Sequence, residues 1–201
     1  MNYIMNKLNK SDLMSLKTYA EQRSGYRAEV MAHKKNRRVA LGPNATLYFE
    51  DRITMQYQIQ EILRIENIAE TAAIEEELAA YNPLIPDGAN WKATFMIEYQ
   101  DEGERRAALG RLIGIERRIW VRVGDHDKVF PIANEDLQRE TEDKTSAVHF
   151  LRFELSASMT ESAKAGAEIH IGVAHPHYTH STGPLPAVVA KSLVGDLSTL
   201  H

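Results

Sequence analysis

Apolar residues recur at spacings of three and four through roughly the first eighty positions and mostly at spacings of two thereafter, a change of period that divides the chain into a helical and a strand-rich part. Ser11 is placed as a helix N-cap, and Leu13, Leu16, Tyr19 and Ala20 form a stripe that Ser24-Gly25 interrupts. A second helix then carries Tyr26, Val30 and Met31 and ends in His33-Lys34-Lys35-Asn36-Arg37-Arg38, cations that complement the negative end of a helix dipole. Residues 38–41 and 45–49 flank Gly42-Pro43-Asn44 and read as a hairpin. From 51 to 82, Met55, Ile59, Ile62, Leu63, Glu66 and Ala69 predict one long helix, stopped by Pro83 and by the turn Pro86-Asp87-Gly88.

Beyond that stop the alternation is strand-like. Over 91–99, Ala93, Phe95, Ile97 and Tyr99 face one way and Lys92, Thr94, Met96 and Glu98 the other. A short helix is predicted over 102–113, then strands at 119–123 and 128–132 joined through Gly124-Asp125-His126-Asp127, then a polar span to 144. Residues 147–155 place Ala147, His149, Leu151, Phe153 and Leu155 on one face, and the strand from 167 places Ile169, Ile171, Val173 and His175 on one face. Between them Ser158 and Thr160 are candidate caps of a short helix that Gly166 closes. So short a connection predicts antiparallel neighbours in one sheet, with Leu151, Phe153, Ile169 and Ile171 buried together.

The order of elements argues for an α+β fold in which N-terminal helices pack with a mainly antiparallel sheet formed largely by the C-terminal half. One domain over residues 1–201 is expected, with a short C-terminal helix and tail from about 187, after Gly183-Pro184-Leu185-Pro186. Leu84, Ile85 and two prolines predict that 81–88 is an ordered loop on the core and not a linker.

Composition narrows the chemistry mostly by exclusion. The absence of cysteine removes disulfides, thiolate nucleophiles, iron–sulfur ligation and cysteine-type zinc sites in this chain. A net charge of -4 offers no general attraction for nucleic acid or anionic membrane, so neither is an expected partner. No apolar run is long enough to span a bilayer and no leader pattern opens the sequence, so the expected location is cytoplasmic. There is no Gly-x-Gly-x-x-Gly, Gly-Lys-Ser/Thr or Gly-x-Ser-x-Gly, which leaves dinucleotide, nucleoside-triphosphate and serine-hydrolase chemistry without a motif. No residue set names a reaction, so whether the protein is an enzyme is open at this point.

Two constellations carry candidate chemistry. Four of the eight histidines fall between 170 and 180, three of them in His175-Pro176-His177-Tyr178-Thr179-His180. In an extended chain His175 and His177 point the same way, His180 returns after a turn, and an antiparallel strand would bring His149 alongside. Those four imidazoles would suit zinc, iron or copper; the alternative is an exposed strand end and loop, with His149 a hydrogen-bonded core residue. The basic run His33, Lys34, Lys35, Arg37, Arg38 could meet an anion or an acidic protein surface, or serve only the helix end. Asp125-His126-Asp127 sits where a turn is expected, and Glu66 lacks the Glu-x-x-His partner of a diiron bundle.

Residues 33–43 (HKKNRRVALGP), 81–88 (YNPLIPDG) and 144–155 (KTSAVHFLRFEL) resemble blocks of the bacterial family catalogued as domain of unknown function 3501, over almost the whole chain. That resemblance transfers no cofactor or catalytic residue. It implies, by association only, a setting in redox or oxidative-stress metabolism, with a rubrerythrin-like protein or an iron–sulfur oxidoreductase as partner. The leading expectation is therefore an accessory or binding protein in that setting, and the alternative is a histidine-ligated metal-dependent enzyme or metal carrier.

Overall fold

A computed structural model describes residues 7–137, 139–141 and 143–198. The tail expected to run to His201 thus passes beyond the described residues at 199–201. The helices are α1 (Leu16–Lys35), α2 (Arg52–Ile65), α3 (Thr71–Tyr81), α4 (Glu102–Arg111), α5 (Ala157–Lys164) and α6 (Ala187–Val194). The strands are β1 (Arg38–Ala40), β2 (Ala45–Glu50), β3 (Asn90–Ile97), β4 (Ile119–Val123), β5 (Ile132–Ala133), β6 (Val148–Glu154), β7 (Ile169–His175) and β8 (Tyr178–Ser181). The α+β class holds. Among the described residues no helix is long and apolar enough to cross a membrane.

Three helix boundaries differ from the sequence reading, each for a local reason. Ser15, not Ser11, caps α1 by accepting from the Thr18 N–H, while Ser11 lies in a short 3-10 helix capped by Asn9. α1 also runs unbroken through Ser24-Gly25. A helical glycine costs about 1 kcal/mol relative to alanine, an amount that burial of Tyr19 and Val30 on either side outweighs. The long helix is two helices, α2 and α3. Asn67 adopts φ 53, a left-handed conformation that asparagine tolerates better than most residues, and Ile68 N–H donates back to Leu63 O, closing the end of α2. At its other end α2 starts with reciprocal bonds between Asp51 and Thr54.

The strands form two antiparallel sheets, one ordered β1-β2-β3-β6-β5 and one ordered β4-β7-β8. β6 and β7 are therefore not neighbours, which corrects the expectation of one sheet. α5 carries the chain from the first sheet to the second, and the connecting segment is long enough to reach a facing layer as readily as an adjacent edge. Leu151, Phe153, Ile169 and Ile171 do share one core, but across the two layers and not side by side. The strand expected over 128–132 is reduced to a bridge between Val129 and Val121 and to β5, with Pro131, which has no N–H to donate, between them.

Two hydrophobic clusters result. The main core joins the inner face of the five-stranded sheet, including Leu47, Phe49, Trp91, Phe95 and Phe153, to Ile119, Val121, Ile169 and Ile171 of the other sheet and to α4, α5 and α6. Trp91 Nε1 donates to Leu193 O at 2.8 Å and so fixes α6. The smaller core is helical: Met55, Ile59 and Leu63 of α2 meet Ile74 and Leu78 of α3, together with Leu8 and Ile85. Ile85 is buried there, so the 81–88 segment is packed as expected.

Candidate functional site

The four histidines do not gather around one point, although His175 and His177 lie side by side with ring centroids 5.7 Å apart. His149 is fully buried on the inner face of β6. Its Nδ1 faces Asn134 Nδ2 at 3.0 Å, and its Nε2 lies 3.0 Å from Ser146 O and 2.9 Å from Thr145 Oγ1. Asn134 Oδ1 already accepts the Phe150 N–H, so Nδ2 is the donor to Nδ1, and Nε2–H donates to the Ser146 carbonyl. Both ring nitrogens are thus used by a neutral imidazole. Burial pushes its pKa down to about 4, against the opposing pull of the Ser146 carbonyl.

His175 ends β7, with Nε2 3.1 Å from Ile113 O and Nδ1 accepting the His177 N–H at 3.2 Å. Burial lowers its pKa too. Because His175 pairs with Tyr178, Pro176 and His177 form the turn between β7 and β8, so Pro176 begins a reversal where an extended strand was expected. His180 lies opposite Val173 on β8, its ring 4.6 Å from that of Tyr178. The ring also covers Gly42 so closely that an added Cβ would approach within 2.6 Å. With His149 in the other sheet, the expected four-histidine set is not assembled. Among the described residues no group of three or more His, Asp or Glu is placed to hold a metal ion. In the remaining candidates, His126 meets Ser162 Oγ at 2.9 Å, and Glu66 is the residue that ends α2.

The basic run divides in two. Arg37 is buried, donating from Nε to Phe49 O, from Nη2 to Glu50 O and to Asp196 at 2.5 Å, and from Nη1 to Ser192. It ties the end of α1 to β2 and to the turn after α6, and it cannot reach a partner. His33 is likewise engaged, 2.5 Å from Asp51. Lys35 and Arg38 are exposed; Arg38 lies over the Tyr48 ring, and the half-buried Lys34 over that of Tyr57. The sequence could not separate Arg37 from its neighbours, because its acceptors come from residues distant in the chain.

A cleft lies between the helical layer and the outer face of the five-stranded sheet. That face is built in register: Glu50, Lys92 and Arg152 form one cross-strand row, and Tyr48, Thr94 and Phe150 the next. Two cavities of about 360 and 340 Å³ adjoin there, sharing Leu84 and Phe150 in their walls. In the larger, Ala79, Ala80, Pro83 and Leu84 face Lys92, Phe150 and Arg152. In the smaller, Met55, Gln58 and Tyr81 face Tyr48, Glu50, Thr94 and Met96, with Lys34 at the edge.

The polar groups of the cleft are mostly held in place. The buried Glu50 carboxylate accepts from Thr94 Oγ1 at 2.7 Å and Thr54 Oγ1 at 2.6 Å. Arg152 grips Glu135 through Nε and Nη2 and also reaches Glu154, an arrangement that holds the Glu135 carboxyl below its ordinary range. Lys92 Nζ donates to Pro83 O at 2.5 Å, and burial lowers its pKa. Among the described residues neither Lys34 nor Lys92 forms an ion pair with a carboxylate. The alternation over 91–99 sets Lys92, Thr94, Met96 and Glu98 on the face opposite Ala93, Phe95, Ile97 and Tyr99 without showing what covers it. The available signal was that Met96 and Phe150, both apolar, occupy that polar face.

Comparison with known proteins places the whole described fold in a family. The model of the family described as a protein of unknown function (DUF3501) matches residues 7–197. The chain is similar to the crystal structure of a novel protein of unknown function from Burkholderia pseudomallei, at 51% identity and a TM-score of 0.91, over 96% of this chain and 100% of that one. Among curated proteins none matches.

Proposed function

We propose, for a chain that belongs to the DUF3501 family, that it is a binding protein for an elongated amphipathic small molecule held between its helical layer and its five-stranded sheet. The observation that carries this reading is that the outer sheet face is covered by helices without being filled. It leaves adjoining cavities with apolar walls and a few fixed polar groups, the usual composition of a ligand pocket. The same reading takes the chain as one working domain, supported by ties such as Arg37 to Asp196 across 159 residues.

The association with redox or oxidative-stress metabolism, and with a rubrerythrin-like or iron–sulfur partner, rests on the family resemblance alone. The surface first assigned to such a partner is reduced to Lys34, Lys35 and Arg38. The histidine-ligated enzyme or metal carrier gains no support from the positions of His149, His175, His177 and His180.

Titration with 8-anilinonaphthalene-1-sulfonate, an anionic amphipathic fluorophore, tests the cleft. Saturable one-site binding is expected, and it should weaken at least tenfold in Ala79→Trp and Ala80→Trp, whose exposed side chains stand at the cavity wall. Equal affinity in wild type and both variants would move the site elsewhere.

A further inference from the structure

We infer that Lys92 is a nucleophilic lysine that captures an aldehyde with an apolar tail as an imine on the floor of the cleft. The inference rests on the cleft reading and gives it a ligand class. Lys92 stands in the middle of the sheet, in register between Glu50 on β2 and Arg152 on β6. Its two cross-strand neighbours are charged, yet neither neutralises it. Glu50 spends its carboxylate oxygens on Thr54 and Thr94, and Arg152, a cation, is occupied by Glu135 and Glu154. Among the described residues the lysine has one hydrogen-bond acceptor, the backbone Pro83 O, for three potential N–H donors.

An amine attacks a carbonyl only in its neutral form, and here burial favours that form most, with Arg152 and Lys7 adding to it. Asp87 and Glu135 oppose the shift, and burial outweighs them. A half-buried, accessible amine beside apolar walls and, among the described residues, without a carboxylate partner is an environment that favours a nucleophilic lysine. Ala79, Ala80, Leu84 and Phe150 supply the surface for the tail of the aldehyde.

The step balances without an oxidant or reductant. The nitrogen lone pair forms a bond to the carbonyl carbon while a proton moves from nitrogen to oxygen, giving a carbinolamine. Loss of that hydroxyl with a second nitrogen proton releases water and leaves the imine.

Butanal supplied near stoichiometric amounts, with sodium cyanoborohydride to reduce any imine to a stable secondary amine, tests this in the intact protein. Peptide mapping by mass spectrometry should show Lys92 labelled at least tenfold faster than the exposed Lys17 and Lys35, with a pH midpoint below theirs. Lys92→Arg should lose the fast label and keep the slow ones. Labelling of Lys92 at or below the surface rate overturns the inference, and wild-type protein alone decides this even if the variant does not fold. Slow labelling with fluorophore binding still lost in Ala80→Trp removes the lysine and leaves the cleft. Fast labelling with fluorophore binding unchanged in Ala80→Trp removes the amphipathic cleft as the fluorophore site and leaves the reactive lysine.

Discussion

The two faces of the five-stranded sheet are made by alternate residues of the same strands, yet they meet different surroundings. Trp91, Phe95 and Phe153 turn inward and are fully buried against the second sheet, whereas Lys92, Thr94, Met96, Phe150 and Arg152 turn outward and stay half-buried. The backbone is equally well paired for both sets. The difference lies in the covering layer: the second sheet and α4 to α6 close over the inner face, while α2 and α3 bury their apolar stripe largely against each other, Leu8 and Ile85. A face covered by a layer with its own core retains room for a ligand, on a platform that the other face makes rigid.

The contrast breaks most severely at the inner face. Trp91→Ala or Phe95→Ala should cost about 3–5 kcal/mol in urea unfolding, and Met96→Ala on the outer face much less. Similar losses at Phe95 and Met96 would show that the outer face is filled after all. Next in size is Arg37→Met, which leaves Asp196 buried without its partner and should cost about 3 kcal/mol, whereas Arg38→Glu one residue away should stay within about 0.5 kcal/mol. Thermal unfolding of both variants measures the gap, and equal effects would contradict the division of the basic run.

The smallest effect sharpens the comparison from inside. Glu116 is fully buried and, among the described residues, neither of its carboxylate oxygens has a partner at hydrogen-bond geometry, with Arg117 3.5 Å away. Burial raises its pKa, with Glu140 adding to the shift. The folded state therefore holds the proton more tightly than the unfolded chain does. Stability from this group is complete below the unfolded value and is lost as pH rises through the folded one. Glu116→Gln should stabilise the protein by about 1 kcal/mol at neutral pH, and the gain should vanish in acid below the ordinary glutamate range. A pH-independent difference between the two proteins would rule this out.

The inner face was legible in the sequence and the outer face was not. Ala93, Phe95 and Ile97, and likewise Leu151 and Phe153, repeat with the strand period, so their common burial follows from alternation alone. What alternation does not contain is the partner of each face. Ile169 and Ile171 match Leu151 and Phe153 in pattern whether they lie beside them or across from them, and that ambiguity produced the expected single sheet and drew His149 toward His175. Likewise, a polar side reads the same under solvent or under helices, so nothing in the pattern marks Lys92. The break at Asn67 was hidden because the apolar spacing continues through it, and a backbone in the left-handed region leaves no trace in that spacing.

The long-range tie at Arg37 also has a consequence for how the chain matures during synthesis. At about 5–20 residues per second, Asp196 is made roughly 10–30 s after Arg37, so the helical layer and the first hairpin exist for that interval with the Arg37 guanidinium held by Phe49 O and Glu50 O but without Ser192 and Asp196, its partners at α6. Contacts so distant in sequence form late, because the intervening loop must close first. The docking of α6 is then a late step in the folding of this sheet, and chaperones that recognise unfinished chains have that interval in which to act.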